Sequence, residues 1–302
     1  MKNYDSPDSP GLMRLAIYIL LLALVFKLAF ILFCGERVYY DVNLSITHGK
    51  ALFDKPGSQV KLILPGVKTY VGSIAWYKLY EYFGVYGLKA YNLAAFALLF
   101  GLQYAIGRRY FPNRVTAAAL FIFAFYVGTN LNVAAGEQDD MTAALFFTLG
   151  VTLYVYGRGA FLAALVMSAG VLFKYTAGIY AMGFIAYLIY TRDKRQLLLA
   201  LAGLTLPFLC LNLVTGFSSM GALLKIANLK RNAFSLENLF LYKFFSTGML
   251  LFLLLSAWAV LRDRSRPNVL LFCLSSFYIV FTVATLNTYS SVFHMMQSVL
   301  FS

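Results

Sequence analysis

The sequence predicts an all-α polytopic membrane protein, with about nine transmembrane helices plus interfacial helices in the first outer loop. Composition and pattern carry that prediction. Of 302 residues, 61% are hydrophobic and only 12% charged, where a soluble domain averages roughly 25% charged residues. The mean hydropathy is +0.74, which is more apolar surface than a soluble fold can hide from water. The apolar residues come in runs close to the ~20 residues that cross a bilayer. The short alternating segments of a β-barrel are missing.

The polar start "MKNYDSPDSPG" gives way at Leu12 to an apolar run, read as a retained first span over 13–34. It is too long for the core of a cleaved signal peptide and has no small-residue cleavage site. Further spans are predicted over 88–107, 115–133, 141–157, 159–175, 177–191, 197–214, 244–261 and 269–286. Segment 66–83, "GVKTYVGSIAWYKLYEYF", is ambiguous by hydropathy, and loop charge decides it. If it does not span, "RRYFPNR", Arg158, "RDKR" and "RDRSR" all face the cytoplasm, where short basic loops belong. It is therefore read as an interfacial helix, which suits its internal Lys78 and Glu81 and its tyrosines. The residues 38–57 form a second interfacial helix, with Asp41, Ser45 and His48 on one face. The chain reads as a single domain over 1–302, without repeat or linker. It stops at "HMMQSVLFS", part way into what reads as a further apolar helix, so either a last span is missing or the chain is a fragment.

The net charge of +13 is read as basic loops against anionic lipid, with no nucleic acid partner. Cys34, Cys210 and Cys273 lie in or at the ends of apolar runs and give no disulfide framework. In this topology Glu36, Asp41, Asp54, Glu81, Glu137, Asp139, Asp140 and Glu237 all fall on the outer side. Three of them crowd into "GEQDD", 136–140. Asp139 and Asp140 would be favoured by the helix dipole at the start of a span, but three like charges in one turn repel, and no basic residue neighbours them in sequence. Ionisable groups at membrane depth mark function by default. Asp41 is either a helix cap or a general base held at the interface. Lys174, in "AGVLFKYTAG", is either a snorkelling lysine or a point charge for a phosphate. There is no GxxxxGK[ST], no Asp-x-Asp and no Cys/His cluster, so neither a metal site nor a cofactor is indicated.

The order of these features resembles the GT-C glycosyltransferases, especially the protein-mannosyltransferase and lipid A aminoarabinose transferase branch. It runs from Asp41 on an amphipathic helix after span one, through a Pro-led interfacial helix ("LILPGVKTYVGSIAWYKLYEYFG") and a span ending in "RRYF", to the acidic turn "GEQDD" and a helix pair closing on "FKYTAG". The resemblance covers roughly residues 12–200, the catalytic module it implies, and leaves 201–302 as variable helices. It implies transfer of a sugar from a polyprenyl-phosphate carrier to an acceptor hydroxyl, with inversion, on the non-cytoplasmic side. It further implies an integral protein of a bacterial inner membrane with its active site facing the periplasm or exterior. The partners implied are the lipid-linked donor, a glycolipid, polysaccharide or protein acceptor, and membrane lipids. By resemblance Asp41 is the catalytic base, Asp140 and then Asp139 match the second acid, and Lys174 sits near the carrier phosphate. Glu137 and His48 join the substrate-binding set. The family's first Asp-Glu pair is Asp41-Val42 here, and of its Lys-Pro-Pro or His-Pro-Pro only Pro65 remains, with Lys61 or Lys68 in place of the cation. The late Arg-Tyr is replaced by "FHMMQ", with His294. The rival from another class is a transporter or lipid flippase with an acidic outer cavity. Its acids would lie mid-span and its broken spans would pair between two halves.

Overall fold

A computed structural model describes residues 10–38, 40–54, 69–126, 129–130, 133–134, 138–174, 177–214 and 249–285. Among these the chain is all-helical, with ten helices and no strand. They are α1 (Pro10–Cys34), α2 (Tyr40–Asp54), α3 (Tyr70–Tyr110), α4 (Asn113–Phe125), α5 (Gln138–Val155), α6 (Ala160–Phe173), α7 (Gly178–Tyr190), α8 (Lys194–Val214), α9 (Met249–Arg262) and α10 (Arg266–Thr285). Three segments among the described residues are long and apolar enough to cross a membrane: Pro10–Cys34, Val71–Tyr110 and Lys194–Val214.

α1 shows why lipid is the solvent. It buries one stripe, Leu12, Ala16, Ile19, Ala23, Lys27 and Ile31, at helical spacing. Its other faces carry Leu21, Leu22, Val25 and Phe33, exposed by 54%, 59%, 67% and 88%. So continuous an apolar surface suits a hydrocarbon surround.

Two segments differ from the sequence expectation. The segment 66–83, expected as an interfacial helix, and the span expected over 88–107 are joined within the described residues: α3 runs for 41 residues from Tyr70 and bends at Gly84, where φ is 62° and ψ −162°. Only glycine enters that backbone region without strain, so the N-terminal arm and the apolar arm separate there. The segment 115–133, expected as one span, is broken. α4 ends at Phe125, because Tyr126 turns to extended backbone at ψ 135°. With 13 residues α4 is only about 20 Å long. The carbonyls freed at its end are met by side chains. Thr129 Oγ1 donates to Phe123 O and Tyr126 O, both at 2.9 Å, and Asn130 Nδ2 donates to Phe125 O at 3.3 Å. Lys27, reaching across from α1, donates to Ala124 O at 2.8 Å and also to Asn130 Oδ1.

The centre of the bundle is an antiparallel hairpin, α5 and α6, closed by a tight turn with Gly157 and Gly159 at φ 78° and 84°. α5 packs most extensively on α6, and α6 in turn on α8. Small residues set these approaches. A Cβ on Gly150 would lie 2.6 Å from Ala163 O, and one on Gly203 2.5 Å from Phe161 O. Ser168 Oγ adds a 2.8 Å bond to Leu204 O across the α6–α8 contact. α7 packs on α10, and α3 on α2 and α5. The main core is aromatic, with Phe96 on Phe123, Phe147 on Tyr180 and Tyr154 on Phe184 at 5.5, 5.6 and 5.0 Å between ring centroids.

Candidate functional site

The hairpin fixes the site. α5 and α6 are antiparallel and joined at their far ends, so the N-terminus of α5 lies beside the C-terminus of α6. The first brings Gln138, Asp139 and Asp140, and the second Phe173 and Lys174. An anion at a helix N-terminus and a cation at a C-terminus are each favoured by the helix dipole. Lys174 forms an ion pair with Asp140. Asp140 is 1% exposed and Asp139 4%.

The N-terminal arm of α3 packs on this end of the hairpin. Thr69 caps it, its Oγ1 accepting from Gly72 N and donating to Phe173 O, both at 3.0 Å. The α3 start is thereby tied to the α6 end. Trp76, two turns beyond Thr69, donates from Nε1 to Asp139 Oδ1 at 2.5 Å. Its ring rests between Tyr91 and Phe173, at 5.2 and 5.6 Å. Tyr91 and Thr142 share a 2.6 Å hydrogen bond between hydroxyls, the second tie between α3 and α5. A Cβ on Gly72 would meet Thr69 Oγ1 at 2.8 Å, Asp139 Oδ1 at 2.9 Å and Phe173 O at 3.2 Å. A glycine there is what lets the arm come so close.

α2 lies on the same arm. His48 Nδ1 and Ser73 Oγ share a 3.0 Å hydrogen bond, and a Cβ on Gly49 would overlap Ser73 O at 2.0 Å. Val42 and Trp76 belong to one small buried cluster with Leu88.

Of the residues predicted from sequence, the structure therefore brings Asp139, Asp140, Lys174 and His48 to one end of the bundle, around Gly72, Ser73 and Trp76. Asp41 falls in the first turn of α2, two turns before His48; its side chain lies outside the described residues, as do Glu137, Lys61, Lys68 and His294. Four contributors went unread in the sequence: Thr69, Gly72, Trp76 and Tyr91. Trp76 carried a usable signal, being one of two tryptophans in the chain and set in an interfacial helix.

Chemically, the arrangement holds two buried carboxylates in fixed orientations, one against an indole N–H and one against an ammonium. The remaining acceptor capacity of such groups can orient hydroxyl donors. Among the described residues no group of three His, Cys, Asp or Glu side chains is placed to hold a metal ion. Comparison with protein-family models, with curated proteins and with solved structures gives no match to this chain.

Proposed function

We propose that the chain is an inverting, GT-C-like glycosyltransferase that moves a sugar from a polyprenyl-phosphate carrier to an acceptor hydroxyl on the non-cytoplasmic side of the membrane. What supports this is the meeting of the acidic first turn of α5, Lys174 and the α2–α3 interfacial pair at one end of an apolar bundle. A lipid-linked donor requires reactive groups at the membrane boundary, and polar groups gathered at one end of an apolar bundle suit that requirement. The shorter apolar helices α4, α6 and α7 cross the bilayer in this reading as well, within a set of about nine spans.

The chemistry balances without further reactants. The acceptor oxygen attacks the anomeric carbon from the face opposite the phosphate. Its proton passes to the Asp41 carboxylate as the new C–O bond forms. The bond from the anomeric carbon to the carrier phosphate oxygen breaks, and the phosphate leaves with the electron pair. Cationic side chains stabilise that developing charge. Lys174 is the candidate from α6, and it already serves Asp140, so the phosphate joins an existing pair.

The test is transfer from a radiolabelled polyprenyl-phosphate hexose in detergent, with acceptors from a total membrane extract, comparing wild type with Asp41→Asn. Loss of the base should lower transfer by roughly 10²-fold or more. Equal transfer by both proteins rejects Asp41 as the base. Absence of transfer and of donor binding in wild type rejects the activity.

A further inference from the structure

Gln138 opens α5, directly before Asp139, and it is 2% exposed. Among the described residues its Nε2 has no hydrogen-bond partner. An amide donor so placed costs free energy that an apolar side chain of the same size would not. Its two neighbours in the turn are committed, Asp139 to Trp76 and Asp140 to Lys174.

The direction of Gln138 follows from helical spacing. It stands one turn before Thr142, so the two share a face. Thr142 is bonded to Tyr91 of α3, so that face is turned toward the interfacial helix. Helical side chains lean toward the N-terminus of their helix, which carries the Gln138 amide toward the α5 start of the α3–α5 contact, the end where Trp76 meets Asp139. The amide is neutral and offers a donor and an acceptor side by side. Rotation about its last torsion, broad and two-fold in glutamine, presents either end. That chemistry matches a hydroxyl group, which also both donates and accepts, better than a phosphate, which wants a cation.

We propose that Gln138 is a specificity-determining contact that reads a hydroxyl of the transferring partners, either on the sugar of the lipid-linked donor or on the acceptor. The inference rests on the glycosyltransferase reading above and names the group that would select its substrate.

The experiment compares wild type with Gln138→Leu in detergent. Thermal unfolding is followed alone, with polyprenyl phosphate, and with polyprenyl-phosphate mannose and glucose. Transfer is then measured over a range of acceptor concentrations. Without ligand, Gln138→Leu should unfold at the wild-type temperature or above it, since an unpartnered amide is removed. If the donor sugar is read, the stabilisation that the sugar adds over the bare carrier is lost in the variant, and kcat/KM falls about tenfold, the worth of one neutral hydrogen bond. If the acceptor is read, the sugar-dependent stabilisation stays and the acceptor KM rises about tenfold. A variant that unfolds well below wild type makes Gln138 a structural residue and overturns the proposal. So does a Gln138→Leu variant whose binding and transfer equal those of an active wild type. A wild type that neither binds the carrier lipids nor transfers sugar removes the activity, and this inference with it.

Discussion

The ion pair between Asp140 and Lys174 gives an asymmetric prediction. The carboxylate side chain is 2% exposed and the lysine side chain 11%. Lys174→Met leaves a carboxylate that cannot reach water, and breaking a buried pair from that side costs about 3 kcal/mol or more. Asp140→Asn leaves an ammonium on a long stem, part of it already at the surface. It can swing outward and regain water, so the cost drops to about 0.5–1.5 kcal/mol, the net worth of an ordinary hydrogen bond. The double variant Asp140→Asn/Lys174→Met carries no unpaired charge and should lie within about 1 kcal/mol of Asp140→Asn, since replacing both members of a buried pair is often close to neutral. The coupling in the cycle is then about 3 kcal/mol. Unfolding by SDS titration in mixed micelles, followed by far-ultraviolet circular dichroism, measures all four proteins. Additive single effects, with coupling under about 0.5 kcal/mol, would refute the buried-pair argument, and equal single effects would refute the asymmetry. The cycle also calibrates activity: a fall in transfer in Lys174→Met counts toward the carrier phosphate only beyond the fraction lost to unfolding.

Two further outcomes follow from the same packing. Gly72→Ala drives a methyl group into Thr69 Oγ1, Asp139 Oδ1 and Phe173 O. It should destabilise the protein by about 1–3 kcal/mol, as overpacking does, read in the same SDS titration. Lys27→Met removes the donor to the Ala124 carbonyl and to Asn130. With a carbonyl stranded in apolar surroundings the loss is about 1–3 kcal/mol, measured by the same assay, and a stability equal to wild type would show that the end of α4 finds another donor.

Most helices were legible because apolar runs and basic turns are local signals. The expected spans 141–157, 159–175, 177–191 and 197–214 fall within three residues or so of α5, α6, α7 and α8 at most of their ends. The break after Phe125 was not legible. Its neighbours are apolar enough to continue a span, and what stabilises the break is Lys27, 97 residues away from Ala124. The bend at Gly84 was half legible, since the charges before it marked an interface, while the glycine's positive φ depends on how the two arms pack. At the site, the three crowded acids stood out at once, but no base lay near them in sequence. The partner could have been found from the hairpin, because Asp140 and Lys174 lie equally far from Gly157 at its turn. Trp76 and Gly72 needed the tertiary approach of α3, which no local pattern encodes.

The Lys27 contact has a consequence for how the protein is made. α1 emerges from the ribosome long before α4, and at about 5–20 residues per second the 97 residues between the partners take on the order of 5–20 s. During that interval the first span must enter the membrane with a lysine and nothing to receive it. Such a residue near a helix centre opposes insertion by about 2.5–3.5 kcal/mol, while each leucine, isoleucine, phenylalanine or valine favours it by about 0.3–0.6. The helix is rich enough in those residues to insert regardless, with a mean hydropathy of 2.8 over its best window. The nascent protein therefore carries a charged hook in its first span, and the arrival of α4 closes it.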